Sequence, residues 1–110
     1  MKKIYLSLIT AIFFITVSFA QTIVVAGADA VTLAGNPYIT LKAAFDNINL
    51  ASQSGSVIVI TVTGITTEPA SAVLNQSAGP WTSLTIIPVG ASQVTGNISG
   101  PLIDLNGADN

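Results

Sequence analysis

The 110-residue chain contains no cysteine and no histidine. Without cysteine there is no disulfide framework, and a lipid-modified cysteine at a processed N-terminus is ruled out. With histidine missing as well, the usual zinc and iron–sulfur donor sets are gone, and a Ser-His-Asp triad cannot be assembled. Charge is the next scarcity. Only 7% of the residues are charged, against about a quarter in an ordinary soluble domain. Beyond residue 20 a single cation, Lys42, stands against five carboxylates (Asp29, Asp46, Glu68, Asp104 and Asp109), a net charge of −4. One lysine makes no basic patch, so nucleic acid is excluded as a partner.

Half of the chain is hydrophobic, and part of that excess is concentrated at the start. Met1-Lys2-Lys3 is basic, residues 4–19 form an apolar run, and Ser18-Phe19-Ala20 sets small residues at the −3 and −1 positions of a cleavage site. This is the pattern of a secretory signal peptide over residues 1–20, removed before Gln21. The run is shorter than the roughly 20 apolar residues of a spanning helix, so no transmembrane helix is expected after cleavage. The expected location is extracellular or at the cell surface, with the periplasm as the alternative.

Gly55 and Gly64 bracket Ser56-Val57-Ile58-Val59-Ile60-Thr61-Val62-Thr63, a β-branched run suited to a half-buried pleated surface. Alternation puts Ile58, Ile60 and Val62 on one wholly apolar face, which is taken as inward. Just before it, Leu41, Ala44, Phe45 and Ile48 recur at helical spacing, with Lys42, Asp46 and Asn49 on the opposite side. Thr40 is the expected N-cap, and Ser52-Gln53-Ser54-Gly55 the stop. A helix of about three turns is too short to stand alone, so its stripe must be buried.

Elsewhere, residues 22–26 read as a first strand and 28–38 as a loop punctuated by glycine and proline. Thr66-Thr67-Glu68-Pro69 reads as a turn. Short strands follow at 72–75, 83–89, 94–98 and 102–105, with Pro88 expected to end the second of them. One helix followed by short strands at near-regular spacing predicts an all-β fold with one short N-terminal helix, its strands stacked as the coils of a β-solenoid; a small β-sandwich or open barrel is the alternative. The expected organisation is a signal peptide at 1–20, a strand, loop and cap helix over 21–54, and first coils over 55–110.

Residues 38–49, then Gly64-Ile65-Thr66-Thr67-Glu68, Ala72-Val73-Leu74-Asn75 and the segment 102–110 resemble the N-terminal cap helix and first coils of pectin-lyase-like right-handed parallel β-helix proteins, as found in large exported surface proteins of Bacteroidetes-type bacteria. The resemblance implies that Thr40, Leu41, Ala44, Phe45 and Ile48 form a structural cap. It also implies further coils of the same protein beyond Asn110, where the pattern stops in mid-repeat. Carbohydrate or cell-surface partners are the classes it points to. Because the last coil leaves an open strand edge, self-association of this stretch is expected.

No candidate chemistry survives its bland alternative. Asp104-Leu105-Asn106-Gly107-Ala108-Asp109 has its glycine at the fourth position, whereas a calcium loop needs it at the sixth and a glutamate at the twelfth. A turn in which Asn106 and Asn110 bond the backbone fits better. Polysaccharide cleavage needs two carboxylates about 5–10 Å apart, and those present fall in separate segments. Gly27-Ala28-Asp29 lacks the spacing of a nucleotide loop. Trp81 is the one candidate ligand-binding residue, since its ring can stack on a sugar, although beside Gly79-Pro80 a residue of this kind is more often folded over a coil edge as part of a loop. Asn75-Gln76-Ser77 and Asn97-Ile98-Ser99 match the N-glycosylation pattern, which bacterial export leaves silent.

No cofactor and no metal are therefore expected. The expected function is a non-catalytic capping region of an exported, adhesin-like surface scaffold. The alternative is the start of a β-helical polysaccharide lyase or hydrolase whose site lies after residue 110.

Overall fold

The computed structural model describes residues 22–75 and 80–108. The expected signal peptide, the sequon serine Ser77, and both Asp109 and Asn110 lie outside these residues. Seven elements follow in order: β1 (Thr22–Ala26), α1 (Ala30–Ala34), α2 (Leu41–Leu50), β2 (Val57–Thr67), β3 (Ala72–Asn75), β4 (Ser83–Thr95) and β5 (Ile103–Asn106). They build two small sheets, a three-stranded one in the order β1-β2-β4 and a two-stranded one, β3-β5.

β2 is the centre of the larger sheet. It pairs antiparallel with β1, from Thr22 opposite Thr63 to Ala26 opposite Val59. On its other edge it pairs parallel with β4, in unbroken register from Val57 opposite Ser83 to Thr63 opposite Val89. The expected alternation is present, with Ile58, Ile60 and Val62 buried and Val57 exposed. The two strands slip past one another between Thr63 and Ile65. Gly64 and Gly90, at φ 77° and 63°, supply the left-handed backbone at this irregularity. At the opposite end of β2, Gly27 leaves no choice of residue, because a Cβ there would stand 1.9 Å from the Val57 carbonyl oxygen.

The core gathers Ile23 and Val25 from β1, Leu41, Ala44, Phe45 and Ile48 from α2, the inward face of β2, Ala72 and Leu74 from β3, and Tyr38 and Trp81. Helix α2 packs mainly on β3 and also touches β1. Its apolar stripe explains this placement: the four core residues are fully buried, while Asp46 on the far side is exposed and pairs with Lys42 at 2.6 Å.

The expected all-β, β-helical architecture is not what the chain forms. The described residues form a small mixed α/β unit of two helices and five strands, and its strands lie in two separate small sheets, one containing an antiparallel pair. Nor is there a clear sandwich, because β3 packs mainly on α2. Three local misreadings contributed. The segment read as a loop contains α1, because Asp29 caps it: its carboxylate accepts from the Val31 N–H at 2.9 Å. Tyr38, read as the last residue of that loop, bridges Ile23 in antiparallel fashion. Finally, Pro88 does not end β4, because it lies on an edge strand, where a missing donor can face away from the ladder.

Candidate functional site

Three places on this fold gather polar or exposed groups. The first is a buried cluster between α1 and the end of α2. The Asp29 backbone N–H donates to Gln53 Oε1 (3.0 Å), and Gln53 Nε2 donates back to Asp29 Oδ1 (2.6 Å) and to the Ile48 carbonyl (3.1 Å). The Thr32 hydroxyl also donates to Asp29 Oδ1, and the Tyr38 hydroxyl donates to the Thr32 carbonyl at 2.6 Å. Burial pushes the Asp29 carboxyl upward, but the bonds from Thr32, Gln53 and the Val31 and Thr32 backbone outweigh it and hold it below its ordinary value. Tyr38 is raised, first by burial and then by the negative charge of Asp29. These bonds run from one segment of the chain to another, so the cluster ties the loop after β1 to the turn after α2.

The second place is the side where strand edges meet α2 and the loops. On β1, residues 23 and 25 point their backbone groups away from β2, and all four groups are matched. Tyr38 exchanges two backbone bonds with Ile23 (2.9 and 2.8 Å). The Asn36 side chain does the same for Val25, accepting from its N–H at 2.8 Å and donating to its carbonyl at 2.7 Å. On β3, Asn49 plays the part of a missing strand, donating to the Val73 carbonyl (2.8 Å) and accepting from the Asn75 N–H (3.0 Å). Glu68 completes this side. Only 2% exposed, its carboxylate accepts from the Leu41 N–H (2.9 Å) and the Lys42 N–H (2.8 Å). The Thr40 hydroxyl takes the Ala43 N–H at 3.1 Å, so the first turn of α2 is fully capped. A carboxylate at this position also meets the positive end of the helix dipole.

The third place is the opposite side, where β4 and β5 each present a free edge. The Ser83 N–H donates to the Ser56 carbonyl, so residues 83, 85 and 87 point their backbone groups at β2, and residues 84, 86 and 88 point theirs outward. Likewise the Ala72 N–H donates to the Leu102 carbonyl, which turns Ile103 and Leu105 outward on β5. Among the described residues, no side chain bonds to these outward groups. The side chains there are apolar and poorly covered: Ile87, Val89, Ile103 and Leu105 are exposed, and Leu84, Ile86 and Val94 only half-buried. An open hollow of 180 Å³ between Val62, Ile86, Pro88, Ser92, Gln93 and Val94 continues this surface, and the Ser92 hydroxyl, shielded from solvent, has no partner there.

Trp81, the proposed stacking residue, is 6% exposed and belongs to the core, which leaves almost no ring face for a sugar. Thr40, Leu41, Ala44, Phe45 and Ile48 are brought together on α2, with Thr40 as the N-cap and the other four facing the core. Asp104 is exposed on β5, opposite Val73. Among the described residues, no three acidic side chains gather as a metal would require, and no helix is long and apolar enough to cross a membrane.

The sequence reading missed the role of Glu68, assigned to a turn, and those of Asn36 and Asn49. Each acts on backbone between 11 and 27 residues away, a separation that leaves no local signal.

Comparison with protein-family models, with curated proteins and with solved structures gives no match.

Proposed function

We propose that the chain is a non-catalytic structural module of an exported surface protein, closed on one side and built on the other to receive a strand. The observation that carries this reading is the contrast between its edges. The outward groups of β1 and β3 are occupied by Tyr38, Asn36 and Asn49, while β4 and β5 leave theirs open. An unguarded edge invites pairing, and proteins normally block it with charge or cover. Here β4 carries no charged residue in its thirteen. Strand addition at such an edge draws affinity from main-chain hydrogen bonds and specificity from alternate side chains. Export is proposed from the signal-peptide pattern of residues 1–20.

The test has two parts. Expressed from Met1 in a bacterial host, the chain is expected outside the cytoplasm with Gln21 as its first residue; recovery of the uncleaved chain from the cytoplasm alone would contradict export. Replacing both Ile103 and Leu105 by Lys is expected to change stability by no more than about 0.5 kcal/mol per site, because these side chains serve a partner and not the fold. A loss above about 2 kcal/mol per site in denaturant unfolding would make β5 part of the core and remove the open side.

A further inference from the structure

We infer that a second copy of this chain occupies the β4 edge, with the two copies related by a two-fold axis and their β4 strands pairing antiparallel about Thr85. The inference rests on the reading of an open side given above.

A strand is what fits here, because the groups on offer are the backbone N–H and C=O of Leu84 and Ile86, spaced two residues apart along one edge. Pairing of β4 on the opposite edge of its own sheet is closed off, since that edge is filled by Tyr38 and Asn36. The other open edge, β5, is only four residues long and carries Asp104, so the long uncharged β4 is the strand best matched to its own copy, in the isologous arrangement of two-fold dimers. The edge suits that role because β4 carries no charge, so two copies bring no like charges of their own strands together.

Pro88 then selects the register. It points outward and has no N–H, so it can accept a bond but cannot return one. Centring the pair on Ile86 would set Leu84 opposite Pro88 and leave a Leu84 carbonyl unmatched. Centring it on Thr85 sets Leu84 opposite the partner's Ile86 and, by symmetry, Ile86 opposite the partner's Leu84. Both are complete two-bond pairs, and the carbonyl left over is that of Pro88 at the end of the paired stretch, because the Thr82 N–H opposite it already donates to the Ser56 carbonyl. Thr85 then faces its own copy across the axis in a non-hydrogen-bonded position, where Cα atoms approach to about 4.5 Å, within reach of a disulfide. Thr85 is exposed, as this requires.

The chain has no cysteine, so one introduced residue reads the contact. Under mild oxidation, Thr85→Cys is expected to form a cross-linked dimer at least tenfold faster than Val24→Cys, placed on the guarded strand at a site 44% exposed. In sedimentation equilibrium the unmodified chain is expected to reach twice its monomer mass and go no further. Thr85→Lys should raise its dissociation constant at least tenfold, and Val24→Lys should leave it unchanged. Equal cross-linking rates, equal effects of the two lysines, or assembly beyond the dimer would each overturn the two-fold pairing. Exchange of the Leu84 and Ile86 amides separates the two levels of the claim. Protection that appears only as concentration rises supports the dimer. Free exchange at every concentration in a monomeric chain overturns the dimer but leaves the open side standing. Protection in the monomer overturns both.

Discussion

Glu68 shows how much one side chain does in this fold. It joins the end of β2 to the start of α2 by two bonds to otherwise unmatched N–H groups, within a site from which water is almost excluded. Hydrogen bonds to a charged group are worth about 1.5–3 kcal/mol each, and a buried donor left unmatched is costly. Glu68→Ala is therefore expected to lose about 2–4 kcal/mol in denaturant unfolding, with Glu68→Gln recovering part of it through its remaining carbonyl oxygen. A loss below about 1 kcal/mol for Glu68→Ala would show that water reaches those N–H groups. Asp29 and Tyr38 govern the pH response. Because the folded Asp29 titrates below its ordinary value, its contribution is present above that value, near pH 4, and is lost as pH falls through the folded pKa. Tyr38 is raised, so its contribution holds below about pH 10 and is lost as pH climbs through the folded value. Asp29→Asn should flatten the acid limb of a stability–pH curve and Tyr38→Phe the alkaline limb; limbs unchanged in both variants would contradict the assignment.

Helix α2 and strand β2 were the elements most open to sequence reading, and for a physical reason. Their signals are local: an apolar stripe at 41, 44, 45 and 48 with a threonine cap before it, and strict alternation through 58, 60 and 62. From this packing, Phe45→Ala is expected to cost about 3–5 kcal/mol, the usual loss for emptying an aromatic site in a closed core. A loss under about 1 kcal/mol would mean that α2 rests on the core without sealing it. β1 and β3 were read at their observed bounds as well, whereas α1 and the full length of β4 depended on partners that the linear chain hides. α1 exists through Asp29, whose cap could be read as a loop aspartate. β4 runs through Pro88 only because the donorless side faces outward, which depends on which neighbour β4 takes. The overall architecture failed for the same reason. Regularly spaced short strands are compatible with stacked coils, yet the pairing of β1 against β2 and the docking of α2 on β3 are long-range choices.

At the scale of the whole molecule, the polar contacts are distributed unevenly. Side-chain amides and a buried carboxylate close one side, where charge and hydrogen bonding would otherwise be left open. The far side keeps apolar side chains in water and backbone groups unmatched on two strands. An open strand edge was expected from the sequence at the last coil alone; that β4 carries one as well was not legible, because an open edge is a property of pairing and has no residue motif. The scarcity of charge was legible, and it becomes meaningful once β4 is seen to be an edge without a single charged residue. The most direct measurement is residue-resolved amide hydrogen exchange in dilute solution, below the concentration at which copies associate. The account predicts slow exchange at Val25 and Asn75, held by Asn36 and Asn49, and at Thr85 and Ile87, which face β2, with fast exchange at the alternating Leu84 and Ile86. Uniform protection along residues 83–87, or exchange at Val25 and Asn75 as fast as at Leu84, would contradict it.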